Sequence, residues 1–450
     1  MSAPPIDSNT RGAEAIAPTS LAAALGAPPF DGSGAQHTAL TRFLRGRLFN
    51  QLEALRDCEI GVHEDGTVTR FGRPAQDPAR TLRAELTVLS AEFYRRVAGN
   101  GSVGIAEAFM DGLWHCDDPT ALVRIFVRNR DLLDAMETGS ARVGGWLMRV
   151  LNLLRRNTRG GSRRNIAEHY DLGNDMFRLF LDENLMYSSA IFRSADEPLE
   201  VAATRKLDRI CQKLGLGPAD HVLEIGTGWG GFALHAARHY GCRVTTTTIS
   251  REQHALASAR IAEAGLSERV TLLTSDYRDL SGKYDKLVSI EMIEAIGHQY
   301  LETFFAQCSD LLKPDGVALI QAITIEDHRY RQALDSVDFI KRYIFPGSFI
   351  PSISAMLGAA AKVSDLKLFH LEDIGPSYAQ TLSIWHQRFL EQIGQVRMLG
   401  YSDRFIRMWR WYFAYCEGGF AERSIGDVQM LMVKPGARPR QYLPDLSPTL

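Results

Sequence analysis

Apolar and polar residues change rhythm several times along this chain, and each change marks an element. Residues 1–37 hold many Pro, Ala, Gly and Ser and few large apolar groups, the pattern of a disordered lead. Further on, HTALTRFLRGRLFNQLEAL has helical spacing, DCEIGVHEDGTVTRFG alternates as a hairpin around Asp65 and Gly66, and RAELTVLSAEFYRRVA reads as strand then helix. GSVGIAEAFMDGLWHCDDPTALVRIFVRN adds two short helical segments, so 38–137 is expected to form a small α+β domain without a catalytic cluster. In 138–167, Val143, Leu147, Val150, Leu151 and Leu154 share one helical face, Arg142, Arg149 and Arg156 recur every seven residues opposite it, and Trp146 flanks them. From 168 to 437, the runs HVLEIG, RVTTTTI, RVTLLTSD, YDKLVSIE, GVALIQAITI and VQMLMVK alternate with helical stretches such as GFALHAARHYG and REQHALASARIAEAG. That alternation predicts an α/β unit, a mostly parallel sheet covered on both faces. Residues 438–450 read as a tail.

Composition narrows the picture. At 450 residues, with 45% hydrophobic and 23% charged, the chain is long enough for two or three domains and a large core without staples. Its 51 basic and 53 acidic residues give a net charge of −2, which excludes a globally basic nucleic-acid protein. The balance is uneven: 138–167 carries seven arginines and no acid, leaving −9 on the rest. A basic amphipathic helix of this kind suits an anionic membrane surface. It equally suits a helix that packs its apolar face on protein and leaves its arginines solvated. The six cysteines form no CxxC pair, which argues for reduced, mostly buried thiols in a cytosolic protein. No basic start followed by an apolar run suggests a secretory signal, and no apolar run approaches the roughly 18 residues of a membrane span. The expectation is a protein that is soluble or meets a membrane from the side.

Chemistry concentrates after the first strand of the α/β unit. Glu224 precedes Gly226-x-Gly228-x-Gly230-Gly231, and a helix follows. Such glycines let the backbone turn sharply and leave room for a nucleotide-like ligand. A nicotinamide site calls for GxGxxG and an acid at the end of the second strand. Here the spacing is GxGxGG and that strand ends in Thr245–Ile249 and Ser250. The acid ahead of the first glycine resembles S-adenosylmethionine (AdoMet) binders instead, and Asp276-Tyr277 closes the third strand where those place an acid and an aromatic beside adenine.

Five further motifs occur in order: HYDLGNDMFRLFLDENLMYSSAIF, TISREQ, SIEMIEAIGHQY, DFIKRYIFPG and IGPSYAQTLSIW. With GSVGIAEAFMDGLWHCDD they resemble the cyclopropane-fatty-acyl-phospholipid synthases and their methyltransferase relatives, over roughly residues 80 to 435. The resemblance implies a seven-stranded, Rossmann-like AdoMet methyltransferase sheet with a smaller N-terminal α+β domain. It implies methyl transfer to a cis double bond of a phospholipid acyl chain, through a carbocation that loses a proton as a cyclopropane ring closes. A methylene or methyl-branched product, finished by a partner reductase, and an inactive lipid-binding homologue are the alternatives. In this family the proton acceptor is thought to be a bound bicarbonate. Glu294, Ile323 and Tyr378 match the family's active-site positions, while Ser189 stands for its cysteine and Gln321 for its histidine. Serine and glutamine can still hydrogen-bond an anion, but Gln321 cannot carry a proton.

For AdoMet the resemblance points to Tyr187 and Ser188 at the methionine end, Glu224, Gly226 and Gly228 under the ligand, Thr248 and Gln253 near the ribose, and Asp276 and Tyr277 around adenine. Tyr170, Phe192, Tyr343, Phe345, Trp385 and Tyr412 are candidate linings for the acyl pocket. His169 and His298 lack partners at metal-ligand spacing, so no metal site is expected. A cytoplasmic enzyme, peripheral at the inner face of the membrane and held there by Arg142, Arg149 and Arg156, completes the expectation, with a homodimer left open.

Overall fold

The computed structural model describes residues 38–131 and 173–440. The lead at 1–37, the arginine segment with Arg142, Arg149 and Arg156, His169, Tyr170 and most of the tail lie outside the described residues.

The smaller N-terminal sheet has the order β2-β1-β3-β4, from β1 (Cys58–Glu64), β2 (Thr67–Phe71), β3 (Leu82–Val88) and β4 (Trp114–Cys116). β1 and β2 pair antiparallel across Asp65 and Gly66, whose φ angles of 47° and 75° make the tight turn read from the sequence. Three helices accompany this sheet, Ala39–Glu53, Glu92–Met110 and Pro119–Arg128. The last starts where sequence rules place it: Asp118 accepts from Ala121 N–H, and Pro119 occupies the first turn.

The larger sheet has the order β10-β11-β9-β8-β5-β6-β7. Its strands are β5 (His221–Ile225), β6 (Arg243–Thr247), β7 (Val270–Leu273), β8 (Tyr284–Ile290), β9 (Leu312–Ile325), β10 (Lys367–Asp373) and β11 (Ile425–Val433). β5 to β9 run parallel, and β11 is antiparallel to both of its neighbours. All six runs read as strands are strands. The seventh, β10, carries no such run, because KLFHLED lies on the sheet edge and stays largely half-exposed.

Successive residues bury on opposite sides, the two-residue period of a pleat covered twice. Leu223, Leu287, Ile320 and Met430 pack with Phe304, Phe305 and Met356, while Val222, Val288, Leu319 and Leu431 pack with Leu207, Phe232 and Ala236. A third core joins the two sheets. Helices Gly375–Glu391 and Asp403–Ala421 bury Trp385, Trp409 and Trp411 together with Ile60, Phe71 and Trp114 of the N-terminal layer. Trp411 stands 5.3 Å from Phe109 and 5.7 Å from Trp114, ring to ring. Arg124 and Arg128 both hold Glu422, at 2.7 and 2.8 Å.

Candidate active site

The strand order reverses at β5, between β6 and β8, so the carboxyl end of β5 opens on the crevice where α/β sheets bind ligands. Gly226, Gly228 and Gly230 follow with φ of 100°, 51° and 86°. A Cβ on Gly226 would lie 3.1 Å from Met292 Cγ, so only glycine turns the chain here and keeps the floor clear.

A cavity of about 970 Å³ starts at this turn. All nine residues assigned to AdoMet line it: Tyr187, Ser188, Glu224, Gly226, Gly228, Thr248, Gln253, Asp276 and Tyr277. It continues between Ile323, Ile325, Leu334, Val337, Ile340 and Leu382 to Val103, Val123 and Val127 of the N-terminal layer. One end is polar, and the other joins these aliphatic groups with charged ones, Arg130, Arg329, Asp335 and Lys341 among them. The N-terminal layer supplies part of the cavity wall.

At the polar end the buried Glu224 carboxyl accepts from Thr246 Oγ1 at 2.6 Å, and burial pushes its pKa up to about 8. Thr248 Oγ1 donates to Gln253 Oε1 at 2.8 Å, and Ser250 caps the helix Arg251–Glu263 by accepting from Gln253 N–H. The two residues expected near a ribose thus hold each other. Asp276 is nearly enclosed and takes two bonds from the Arg278 guanidinium, at 2.8 and 2.7 Å. The Tyr277 hydroxyl is buried with no hydrogen-bond partner among the described residues, an orphan in the cavity wall. Ser188 Oγ accepts from Lys206 Nζ at 2.7 Å, and Tyr187 and Tyr412 join hydroxyls at 2.9 Å.

A cluster of acids lies deeper. Glu294 Oε1 accepts the Ile323 N–H at 2.6 Å, whereas Oε2 is buried and unpartnered. Burial, with Glu291 beside it, pushes the Glu294 carboxyl up to about 8. Tyr378 OH does not face Glu294; it donates to Glu291 Oε2 at 2.7 Å. Glu291 Oε1 accepts from Ser189 N–H at 2.9 Å and from Gln321 Nε2 at 2.7 Å. Ser189 and Gln321 are wholly buried behind the wall and meet the cavity through Glu291. The Ser189 hydroxyl donates to Ala190 O, and it is the Ser189 backbone N–H that reaches Glu291. Burial, reinforced by Glu291, raises the Asp427 carboxyl well above the usual range.

Three residues of this cluster escaped sequence reasoning: Glu291, Lys206 and Asp427. Lys206 had a signal, since it falls on the apolar stripe of the helix Leu199–Leu214 with Ala202, Ala203 and Ile210. Glu291 lies in SIEMIEAIGHQY three residues before Glu294, in a motif whose other glutamate drew the attention. Asp427 heads an apolar strand and reads as its polar start. Among the acyl-pocket candidates, Phe345 and Tyr412 line the cavity. Trp385 packs against Phe180 and Tyr378 in the core, Phe192 packs at the core margin, and Tyr343 OH donates to buried Glu107 at 2.6 Å. His298 is exposed, and no group of acids, histidines and cysteines suited to a metal occurs among the described residues.

Strand order, glycine turn and cavity together are those of an AdoMet-dependent methyltransferase. Residues 158–430 match the family of mycolic acid cyclopropane synthetases, and the chain belongs to that family. It is 35% identical over 386 residues to the tuberculostearic acid methyltransferase UfaA1 of Mycobacterium tuberculosis, covering 83% of this chain and 87% of that one. It is 36% identical over 346 residues to the cyclopropane-fatty-acyl-phospholipid synthase of Escherichia coli K12, covering 76% and 86%. Of solved structures, the cyclopropane synthase MmaA2 of Mycobacterium tuberculosis superposes with a TM-score of 0.57 at 30% identity, over 60% of this chain and 98% of that one. The mycolic acid cyclopropane synthase CmaA1, complexed with SAH and CTAB, gives 0.57 at 29%, again over 60% and 98%.

Proposed function

We propose that this enzyme methylates the cis double bond of an unsaturated phospholipid acyl chain and closes a cyclopropane ring on it. The observation that carries the reading is one cavity that runs from the polar glycine turn past a cluster of acids into a largely aliphatic arm. The polar end suits AdoMet: the glycine floor stays clear, and the orphan Tyr277 hydroxyl awaits a partner. When bound there, AdoMet supplies an electrophilic sulfonium methyl. Tyr187 and Ser188 would hold its methionine end, Thr248 and Gln253 the ribose, and Asp276 with Tyr277 the adenine.

The chain's own groups do the rest. An alkene is a weak nucleophile with no proton to lose first, so the enzyme needs alignment and dryness rather than an activated side chain. The aliphatic side chains of the arm suit an acyl chain, and the faces of Phe345 and Tyr412 suit a passing positive charge. Glu294 Oε2, without a partner, is placed to stabilise that charge when ionised.

A methylene or methyl-branched product is the second reading, favoured by the likeness to the tuberculostearic acid methyltransferase over more of the chain than to the E. coli synthase. It would leave a double bond for a partner reductase. We place the enzyme at the inner face of the membrane, supported by a substrate that resides in the bilayer and by the seven arginines of 138–167. No described helix is long and apolar enough to cross a membrane. The test is incubation with methyl-labelled AdoMet and cis-unsaturated phospholipid vesicles, followed by analysis of acyl methyl esters. Label in a cyclopropane is the expected result. Label in a product that keeps a double bond establishes the second reading, and AdoMet binding with no labelled lipid leaves a lipid-binding homologue.

A further inference from the structure

We propose that Glu107, a buried residue of the N-terminal layer, positions the wall of the acyl arm by holding the turn 338–345, and so sets which double bond of the lipid meets the transferred methyl. This rests on the methyl-transfer reading above. Two motifs of the sequence, GSVGIAEAFMDGLWHCDD and DFIKRYIFPG, lie in different layers. They meet at this one side chain, across 236 positions of the chain.

Glu107 sits on the helix Glu92–Met110 and is 4% exposed. Its Oε1 accepts from Tyr343 OH at 2.6 Å and pairs with the Arg342 guanidinium at 3.0 Å. Its Oε2 accepts from Asn100 Nδ2 at 3.0 Å. The helix breaks at Gly101, with φ 53° and ψ −130°, and Asn100, Gly101 and Ser102 line the cavity at that break. Both carboxylate oxygens are therefore engaged, and Glu107 stands behind the cavity wall rather than in it. It acts only through the groups it holds, as a positioning residue.

The turn it holds is of a rare kind. Ile340–Ile344 form a π-helical turn, closed by Phe345 N–H donating to Ile340 O at 2.8 Å. Such turns are uncommon and occur mostly at functional sites. Asp338 starts it by accepting from Lys341 N–H at 2.9 Å. Ile340, Lys341, Arg342 and Phe345 all line the cavity, so a shift of the turn reshapes the arm. Phe345 carries the effect inward, its ring 6.3 Å from that of Tyr187 and 6.3 Å from that of Tyr412.

What Glu107 adds is direction. Hydrophobic burial is non-directional, whereas charge-assisted hydrogen bonds are short and fix geometry. Burial and the bond to Glu107 push the Tyr343 hydroxyl up to about 12, so it stays a donor throughout the neutral range. The Arg342 guanidinium also lies over the Tyr343 ring, 5.2 Å from its centre. Alignment matters for an alkene, because a misplacement of about 1 Å can cost about 100-fold in rate. The wall fixes how deep the acyl chain enters, and a wall that gives way admits double bonds at other depths.

The test is a competition between phosphatidylglycerol vesicles with oleoyl or cis-vaccenoyl chains, which differ only in where the double bond lies. Wild type should prefer one of the two. Glu107→Leu and Tyr343→Phe should each lower kcat/KM on the preferred lipid about 10-fold and bring the ratio of the two lipids toward one. AdoMet affinity, by calorimetry, should stay within about twofold. The double variant should lose no more than either alone, since both remove the same contact. Glu107→Gln, whose amide oxygen still accepts from Tyr343, should keep the preference. Tyr343→Phe deletes a single hydroxyl and carries the test should Glu107→Leu fail to fold. Three results overturn the proposal and leave methyl transfer intact: a wild type indifferent to double-bond position, variants that lose rate at an unchanged ratio, or Tyr343→Phe with wild-type rate and ratio. A wild-type enzyme that binds AdoMet but labels no lipid overturns both.

Discussion

Glu294 shows how one carboxyl can be tied and idle at once. Its Oε1 takes the Ile323 N–H, and its Oε2 waits, buried, in the cavity wall. Glu294→Gln keeps the shape and removes a carboxyl that, raised to about 8, would face a carbocation as an anion only in alkaline solution. Methyl transfer should fall by about 100-fold above about pH 8 and far less at neutral pH, with AdoMet affinity unchanged, measured by single-turnover label transfer and calorimetry. The pH dependence of stability has a definite sign. A carboxyl raised from 4.5 to about 8 holds its proton in the folded state where the unfolded chain has lost it. Its contribution to stability therefore declines as pH rises from about 4.5 through about 8. Urea denaturation should show Glu294→Gln gaining on wild type across that window. Lys206 is the buried cation opposite Glu291, Asp182, Asp427 and Glu224. Lys206→Met should cost about 3–5 kcal/mol by the same measurement, because it leaves buried acids without their counter-charge. None of this partnership was legible in the sequence, since the partners come from separate strands and helices.

At the scale of elements, periodicity did most of what it can do. Six of seven strands stood out, five because they are buried over most of their length and the edge strand β7 through its run Val270–Leu273, and the hairpin turn announced itself through Asp65 and Gly66. β10 did not, because KLFHLED intersperses charges among its apolar residues and buries none of its positions fully. Its role is electrostatic: Glu372 accepts Arg209 Nε and Lys213 Nζ, each at 2.6 Å, and these partners hold its carboxyl down at about 2. That stabilisation is full above about pH 4.5 and is lost as pH falls through about 2. Glu372→Gln should therefore destabilise the protein by about 1–2 kcal/mol at neutral pH, with the gap closing in acid. Glycine in the helix Asp403–Ala421 makes a second case. Alanine normally gains about 1 kcal/mol over glycine inside a helix. At Gly418 the new Cβ would sit 2.7 Å from Val123 Cγ1, a branched side chain with little room to move. Gly418→Ala should instead lose about 1–3 kcal/mol in thermal or urea unfolding.

For the whole molecule, the N-terminal layer and the larger sheet share a core, and Val103, Val123 and Val127 extend the cavity wall across that junction. The sequence separated the two parts by composition and gave no hint that they enclose one chamber. The charge asymmetry belongs to this scale as well. If 138–167 docks the enzyme on its lipid, replacing Arg142, Arg149 and Arg156 with Gln should weaken cosedimentation with anionic vesicles at low salt about 100-fold. Each lysine or arginine near such a surface contributes about 1 kcal/mol. Unchanged cosedimentation assigns the segment to packing on protein.

The sequence by itself determined the α/β architecture, the glycine turn and its wall of nucleoside-binding candidates. Those features are local, set by period, turn chemistry and motifs a few residues long. Only the tertiary structure decided what the acids do, because each takes its role from groups distant along the chain. Tyr378 binds Glu291 and not Glu294, Ser189 uses its backbone rather than its hydroxyl, and Gln321 is oriented by a relay from Lys213. Hydrogen-bond direction is a property of space, and the linear pattern does not contain it.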